Sequence, residues 1–120
     1  MTKEFFFDAA HYLPTAPKGH PNARVHGHSF SVAVTLEGEM DPAFGWIRSF
    51  AEVDEAIAAL RARLDHHLLN EIPGLDVPTM ERLALFVFDA LASALPEITE
   101  VTVRRDSQRE SCTYWKARRA

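Results

Sequence analysis

Hydrophobic side chains recur at every second position in two segments near the start of the chain. The first segment runs from Phe5 to His11 and the second from His26 to Val34. A period of two is typical of strands that bury one face. The loop between them, residues 14–24, is rich in proline and glycine, and the second segment runs out near Gly38. The pattern therefore predicts two strands joined by a long polar loop.

The middle of the chain changes to the three- and four-residue spacing of helices. The first helical stripe consists of Phe50, Val53, Ile57, Leu60 and Leu64. The second helix is predicted to open at Pro78-Thr79, with Thr79 as N-cap, and to stop before Pro96. Its stripe consists of Leu83, Phe86, Val87, Ala90, Leu91 and Ala94. Alternation returns at Val101 and Val103, and residues 112–116 are expected to form a last strand. The predicted order is ββααββ, an α+β fold.

Composition limits the size and the class of the protein. The 120 residues, 47% of them hydrophobic, are expected to form one domain, residues 1–120, with a small core. A net charge of −4 does not favour nucleic acid, and the basic residues Lys116, Arg118 and Arg119 are interpreted as a solvated tail. No apolar run is long enough for a membrane span, no signal peptide is evident, and Cys112 is the single cysteine. We expect a cytoplasmic protein without a nucleic-acid or membrane partner.

Three histidines, His11, His26 and His28, are the strongest candidates for chemistry. Each is predicted to share the apolar face of its strand, and side chains two apart on a strand are separated by about 7 Å. His26 and His28 can therefore converge on one ion, and His11 from the other strand would supply a third nitrogen. Three imidazoles with an open fourth position are typical of catalytic zinc. A lone His-Gly-His, by contrast, would be better explained as an accident at the edge of a turn.

Asp65 and His66, at the end of the first helical segment, are the second candidate. A carboxylate next to an imidazole is typical of a general acid/base pair. Adjacent residues on a regular helix do not face each other, so the pair can meet only if the helix has ended. Favourable interaction of histidines with the helix dipole explains the motif equally well in isolation.

Taken together, five ordered segments resemble the 6-pyruvoyltetrahydropterin synthase family, which includes the 6-carboxytetrahydropterin synthases of queuosine biosynthesis. The segments are Phe7-Asp8-Ala9-Ala10-His11, Gly19-His20, His26-Gly27-His28, Leu64-Asp65-His66-His67-Leu68-Leu69-Asn70 and Pro78-Thr79-Met80-Glu81. The resemblance implies the tunnelling fold, with a four-stranded antiparallel sheet, two helices on one face, and trimers that close a barrel and stack into a homohexamer. It also implies a lyase that acts on 7,8-dihydroneopterin triphosphate or a related pterin.

The same resemblance implies a role for each matching residue. His11, His26 and His28 would hold Zn²⁺, and Asp65 and His66 would be the catalytic acid/base pair, reaching the zinc site from a neighbouring subunit. Asp106 would bind the pterin through its carboxylate, and Thr79 is a further candidate substrate-binding residue.

Three positions depart from the family pattern. Asn22 stands where the family has its catalytic cysteine, and the loop from Pro14 to Val25 contains no acidic residue that could replace the thiol. Asp106-Ser107 stands where the family has Glu-Thr, so the carboxylate arm is one methylene shorter. Ser49 replaces an aspartate ahead of the first helix, where it can still act as a cap.

These departures leave three hypotheses open. The first is a zinc-dependent pterin-synthase-like enzyme whose chemistry has changed at Asn22. The second is a non-catalytic protein that binds a pterin or purine. The third is an ordinary 6-carboxytetrahydropterin synthase in which His20 or a zinc-bound hydroxide replaces the cysteine, since Cys112 is expected to serve as core packing. Retention of Asp65 and His66 favours an enzyme.

Overall fold

The computed structural model describes residues 1–116, which form four strands and two helices in the predicted order. Arg118 and Arg119 of the predicted basic tail lie outside the described residues. The elements are β1 (Thr2–His11), β2 (His26–Leu36), α1 (Phe50–Leu64), α2 (Met80–Ala92), β3 (Ile98–Arg105) and β4 (Glu110–Trp115). The strands and helices follow one another in the order that the hydrophobic spacing predicts. The fourth strand begins two residues earlier than expected.

The strands form one antiparallel sheet in the order β1-β2-β3-β4. In the register of β1 and β2, Phe7 lies opposite Phe30 and His11 lies opposite His26. Strand β2 continues the pairing to β3, and β3 pairs with β4 through a short turn. The order makes every pair of sequence-adjacent strands a pair of neighbours in space, and it leaves β1 and β4 at the edges.

One face of the sheet and the inner faces of both helices form the core. Phe7, Phe30 and Val32 point to the core and are at most 1% exposed. Phe6, which points to the opposite face of the sheet, is 71% exposed. The predicted alternation is therefore confirmed, with both helices on one side. Phe50 is an exception to the predicted stripe of α1: at the first helical position it stays half exposed, because the buried stripe starts at Val53.

The helix ends occur where the side chains can satisfy free backbone groups. The hydroxyl of Ser49 accepts the N–H of Ala51 at 3.2 Å, and that of Thr79 accepts the N–H of Arg82 at 3.2 Å. Both N-caps were expected from the sequence. Helix α1 ends at Leu64, so Asp65 is already outside it, with extended backbone. This end determines the geometry of the Asp65–His66 pair.

Candidate metal centre and active site

His11, His26 and His28 meet where β1 and β2 pair. His11 lies opposite His26, and His28 lies opposite Ala9 on the same face of the sheet. The three ring centroids are 4.6, 4.8 and 5.0 Å apart, and one nitrogen from each ring lies within 4.8 Å of the others. The antiparallel register thus brings together three side chains that are up to 17 positions apart in the chain.

Backbone carbonyls orient two of these rings. Nδ1 of His11 lies 2.9 Å from the carbonyl oxygen of Pro78, and Nδ1 of His26 lies 2.7 Å from that of Arg24. Since a carbonyl only accepts, each Nδ1 carries the proton and each Nε2 presents its lone pair. Histidine metal ligands are commonly oriented by such a hydrogen bond from the other ring nitrogen.

Nε2 of His11 provides the test of whether an ion fits. His11 is 2% exposed, and within residues 1–116 its buried Nε2 has no hydrogen-bond partner. Buried polar atoms are normally satisfied, so this nitrogen calls for an ion or a water molecule. Three neutral imidazoles that leave further positions open suit Zn²⁺ well. The histidine cluster could therefore bind a metal, as the sequence predicts, and the residues present fit zinc.

The surroundings lower the pKa of two of the ligands, His11 and His28. Burial lowers the pKa of His28 to about 4, and the positive charge of Arg105 contributes to that decrease. Burial also lowers the pKa of His11, although its hydrogen bond to Pro78 acts in the opposite direction. Metal binding needs the unprotonated ring, so both shifts favour a ligand over a cation near neutral pH.

Asp65 and His66 meet just beyond the end of α1. His66 has a φ of +58°, in the left-handed region, and its Nδ1 lies 3.0 Å from a carboxylate oxygen of Asp65. The other carboxylate oxygen accepts the N–H of Asp8 at 3.0 Å. That bond, followed by the one with His66, lowers the pKa of Asp65. The condition stated from the sequence, that the helix must end before the pair can meet, is fulfilled.

The turn that carries this pair is fastened to the end of β1. The N–H of His66 donates to the carbonyl of Asp8, and the N–H of Ala10 donates to the carbonyl of His67 at 3.0 Å. The amide of Asn70 binds both backbone groups of Tyr12, at 3.0 and 2.8 Å. Sequence reasoning assigned no role to Asn70, which holds the turn against the strand that contains His11.

His66 borders an open cleft of about 520 Å³. His28 borders the same cleft, together with backbone and side chains of β1, β2 and the turn. The side chain of His66 is 78% exposed, so its imidazole is free to approach a bound molecule or a second subunit. That it serves the metal centre of a neighbouring subunit remains a prediction.

A second cleft, of about 400 Å³, opens at the buried metal ligand. It is lined by His11, Leu13, Thr79, Met80, Glu81, Arg105, Glu110 and Cys112. Thr79 therefore borders the same cleft as His11, and its hydroxyl caps α2. Its role in substrate binding stays a prediction. The thiol of Cys112 donates to Glu81 at 3.3 Å, and burial, followed by that carboxylate, raises its pKa. Cys112 packs half-buried against the core and is a poor source of thiolate.

Asp106 does not point toward the histidines. Its carboxylate accepts from the Ser31 hydroxyl at 2.8 Å and from Nε of Arg104 at 3.2 Å. Ser31 lies between the inward-facing Phe30 and Val32, so its side chain is on the open face of the sheet. Asp106 is therefore on the face opposite the metal centre of its own chain, and its role in substrate binding remains a prediction.

Arg105, and not the predicted Asp106, is the residue at the end of β3 that faces the histidines. It continues the inward phase of Val101 and Val103, and its Nη1 lies 3.2 Å from Nε2 of His28. Nη2 forms an ion pair with Glu110, at 2.5 Å. The sequence analysis missed this residue. Its signal was nevertheless present, since counting by twos from Val103 places Arg105 on the buried face.

The loop that carries Asn22 is a short 3₁₀ turn, Pro21–Ala23, capped by His20. The N–H of Asn22 donates to Nδ1 of His20 at 3.1 Å, and the carbonyl of Asn22 accepts from Leu13 at 2.7 Å. Both side chains are exposed. His20 thus has a structural role in the turn, in addition to the role of substitute base that the third hypothesis assigns to it.

Comparison with known proteins identifies the family. Residues 1–117 match the family described as 6-pyruvoyl tetrahydropterin synthase. Within residues 1–116 no helix combines the length and hydropathy that a membrane span requires. Among solved structures, 6-pyruvoyl tetrahydropterin synthase of Caenorhabditis elegans superposes with a TM-score of 0.86 and 25% identity, over 98% of this chain and 94% of that one.

Similar sequences include synthases and an aldolase. Dihydroneopterin monophosphate aldolase of Pyrococcus furiosus is 36% identical over 90 residues, which cover 75% of this chain and 72% of the relative. A putative 6-carboxy-5,6,7,8-tetrahydropterin synthase of Archaeoglobus fulgidus is 32% identical and covers 86% and 84%. The 6-carboxy-5,6,7,8-tetrahydropterin synthase of Synechocystis is 34% identical and covers 92% and 85%. The match along nearly all of its length establishes that the chain belongs to the 6-pyruvoyl tetrahydropterin synthase family, with the tunnelling fold of that family.

Proposed function

We propose that the protein is a zinc-dependent lyase that acts on the side chain of 7,8-dihydroneopterin triphosphate or a related dihydropterin. The observation that carries this proposal is the convergence of three imidazoles, with the buried Nε2 of His11 left without a partner among residues 1–116. The names of the relatives support the substrate class, since both the synthases and the aldolase act on pterins.

Each part of the site then has a chemical role. Zinc on His11, His26 and His28 would supply a positive charge that attracts the side-chain oxygens of the substrate and makes the neighbouring protons more acidic. Asp65 orients His66 through Nδ1, so that Nε2 is the atom that gives or takes the proton. We place this pair opposite the zinc site of a neighbouring subunit in a homohexamer.

Asn22 decides between two kinds of reaction. A synthase must remove a proton from carbon, for which the family uses a thiol, whereas an amide is no base near neutral pH. An aldolase removes a proton from a side-chain hydroxyl before a carbon–carbon bond breaks, and that proton is more acidic. The exchange of thiol for amide, together with the similarity to the Pyrococcus aldolase, favours carbon–carbon cleavage over the synthase reaction.

Product analysis tests the proposal. The zinc-loaded protein is incubated with 7,8-dihydroneopterin triphosphate and, separately, with the monophosphate, and the products are identified by mass. We expect a hydroxymethyl pterin and a two-carbon aldehyde that still carries the phosphate ester. Release of triphosphate would instead identify a synthase with a substitute base such as His20, whether the product keeps all three side-chain carbons or only the one of a 6-carboxypterin. Binding without any turnover would support the non-catalytic hypothesis.

The Asp65–His66 pair has a matched control in the next residue. His66→Gln should lower kcat by about 10²–10⁴-fold, the usual contribution of a general acid or base, whereas His67→Gln should leave it within a small factor of the parent. His67 is also exposed, on the same turn. Equal losses in both variants would show that the turn, and not the proton transfer, is what matters.

Asn22→Cys tests the altered chemistry. If the missing thiol is what disables the synthase reaction, the wild-type protein should eliminate triphosphate very slowly and the variant should do so measurably faster. His20→Gln is the companion variant, because it removes the histidine that the third hypothesis considers as a substitute base. A wild-type rate equal to that of a typical synthase would contradict the role assigned to Asn22.

A further inference from the structure

We propose that Arg105 binds an anionic oxygen group of the ligand, a phosphate or a carboxylate, in the cleft beside the three histidines. The inference deepens the proposed function and rests on it only for the pterin part of the ligand. It assigns to this chain a positively charged specificity residue on the inward face of β3. The sequence analysis had assigned ligand binding to the carboxylate of the next residue, Asp106.

The position of Arg105 is set by the sheet. Arg104 and Arg105 are adjacent on β3 and therefore point to opposite faces. Arg104 lies on the open face, in ion pairs with Glu4 and Asp106 at 2.8 and 3.2 Å. Arg105 points into the cleft that also contains His11, and its side chain is 20% exposed. The two residues have the same chemistry in two different environments.

The hydrogen bonds of Arg105 leave donors for a ligand. Its Nε is buried and, among residues 1–116, has no hydrogen-bond partner. Its Nη1 donates to the Nε2 lone pair of His28 at 3.2 Å. An ion bound through that nitrogen would use the same lone pair, which would release Nη1–H toward the cleft. A guanidinium with two free donors is suited to a planar or tetrahedral oxyanion.

The charges of the cleft point to the same class of ligand. Glu81 and Glu110 border it, and Glu110 is already neutralised by Arg105. The positive charge of a divalent ion on the three histidines, added to that of Arg105, would exceed the negative charge of these two carboxylates. The cleft would then have a net positive charge. The ring of a 7,8-dihydropterin offers a guanidinium only neutral acceptors, whereas a phosphate or carboxylate substituent carries a full negative charge. Arg105 should therefore contact the acidic substituent in preference to the ring.

The test compares ligands that differ in charge. Binding of 7,8-dihydroneopterin, its monophosphate, pterin-6-carboxylate and inorganic phosphate to the zinc-loaded protein is measured by calorimetry. We expect at least one acidic pterin to bind about 10–100-fold more tightly than 7,8-dihydroneopterin, the usual contribution of hydrogen bonds to a charged group. The preferred ligand distinguishes a phosphate from a carboxylate site.

Variants assign the preference to Arg105. Arg105→Gln should reduce binding of the acidic pterin to the level of 7,8-dihydroneopterin and leave the latter unchanged, whereas Arg105→Lys should retain part of the preference. Arg104→Gln is the matched control and should keep the wild-type ratio of affinities between the acidic pterin and 7,8-dihydroneopterin. The ratio is compared, and not the absolute affinity, because Arg104 pairs with Asp106. Zinc content, measured in parallel, should be the same in all four proteins.

Three results would overturn the inference. They are a wild-type protein without preference for acidic pterins, an Arg105→Gln variant that keeps the preference, and an equal loss in the Arg104→Gln variant. If no pterin binds, the proposed function fails, and the inference is then decided by inorganic phosphate. Phosphate binding that Arg105→Gln abolishes would support it, and absence of such binding would refute it. The wild-type comparison decides the question even if a variant does not fold.

Discussion

At the scale of single residues, His11 shows how burial and chemistry combine. It is packed edge-on against Phe30, with ring centroids 5.9 Å apart, and Pro78 accepts its Nδ1–H. A histidine that served only as core packing would need a partner for Nε2 as well. The unsatisfied nitrogen costs free energy unless a metal ion binds, so metal binding and folding should be coupled.

Metal binding is therefore predicted to depend on all three histidines. Wild type should bind about one zinc per chain, and His26→Ala or His28→Ala should remove most of it. Zinc at 100 times its dissociation constant should stabilise wild type by about 2.7 kcal/mol, and should leave both variants unchanged in a thermal unfolding experiment. His67→Ala is the control. Full zinc occupancy in the His26→Ala/His28→Ala double variant would refute the assignment.

At the scale of elements, the helix caps were visible in the sequence and also border the site. The carbonyl of Pro78 orients His11, and the next residue, Thr79, is the N-cap of α2. The cap therefore positions a metal ligand through the backbone next to it. Because α2 also packs against β3 and β4, a shift at its start would move Arg105 and Cys112 relative to the histidines.

Thr79→Ala should lower the free energy of unfolding by about 1 kcal/mol, because the N–H of Arg82 loses its acceptor. Thr79→Ser keeps a hydroxyl and should cost much less. Chemical denaturation of the metal-free proteins measures both. Equal stability of the alanine variant and wild type would show that water replaces the cap, and that Thr79 is present for the ligand alone.

A second contact between elements connects the segment before α1 to the segment before β3. Nε and Nη2 of Arg48 bind the two carboxylate oxygens of Glu97 at 2.9 and 2.7 Å, and both side chains are about three-quarters buried. The hydrogen bonds from Arg48 lower the pKa of Glu97 below its ordinary value of 4.5. The stabilisation is therefore complete above that value and is lost as the pH falls through the lowered pKa.

Glu97→Gln should accordingly lower stability by about 1 kcal/mol at pH 7 and by less at pH 3, because below 4.5 wild type has begun to lose the same contribution. Lys3 and Asp54 form an exposed pair at 3.1 Å that serves as a control. Asp54→Asn should have little effect at either pH, because exposed pairs contribute little. Denaturant midpoints at several pH values measure the difference, and a pH-independent loss would contradict the assigned cause.

At the scale of the whole molecule, the sheet remains open. Strands β1 and β4 are edges, and Phe6, Phe44 and Trp115 are large exposed hydrophobic side chains. Nε of Arg61 binds the carbonyl of Phe6 at 2.8 Å and so occupies one acceptor of the β1 edge. Unpaired edges of this kind tend to pair with another chain. This is the physical basis for the proposed barrel.

Light scattering at micromolar concentration should therefore give a mass of three or six chains of 13.5 kDa. Mixing two defective variants tests whether the site is shared: His28→Ala and His66→Gln should each be inactive, and mixed oligomers should regain part of the activity. A stable monomer would contradict the assembly, and it would require His66 to act on the metal centre of its own chain.

The sequence by itself determined the order of the elements, the caps and the metal cluster. These follow from local rules: the period of two places His11, His26 and His28 on buried faces, and the change of period locates the helices. The hydroxyls of Ser49 and Thr79 are caps for equally local reasons. The face on which each of these side chains lies depends on residues only a few positions apart, which is why the hydrophobic pattern was sufficient; the pairing of β1 with β2 then brings His11 to His26 and His28.

Only the tertiary structure decided which polar groups share a site. The alternation of Val101 and Val103 already places Arg105 on the buried face, but only the pairing of β3 with β2 brings its Nη1 within 3.2 Å of Nε2 of His28. The end of α1 at Leu64, the left-handed backbone of His66 and the two bonds from Asn70 to Tyr12 bring the acid/base pair against β1. The hydrogen bonds between this turn and β1 join residues more than 50 positions apart. They form only because burial of the common core brings the strands and helices together.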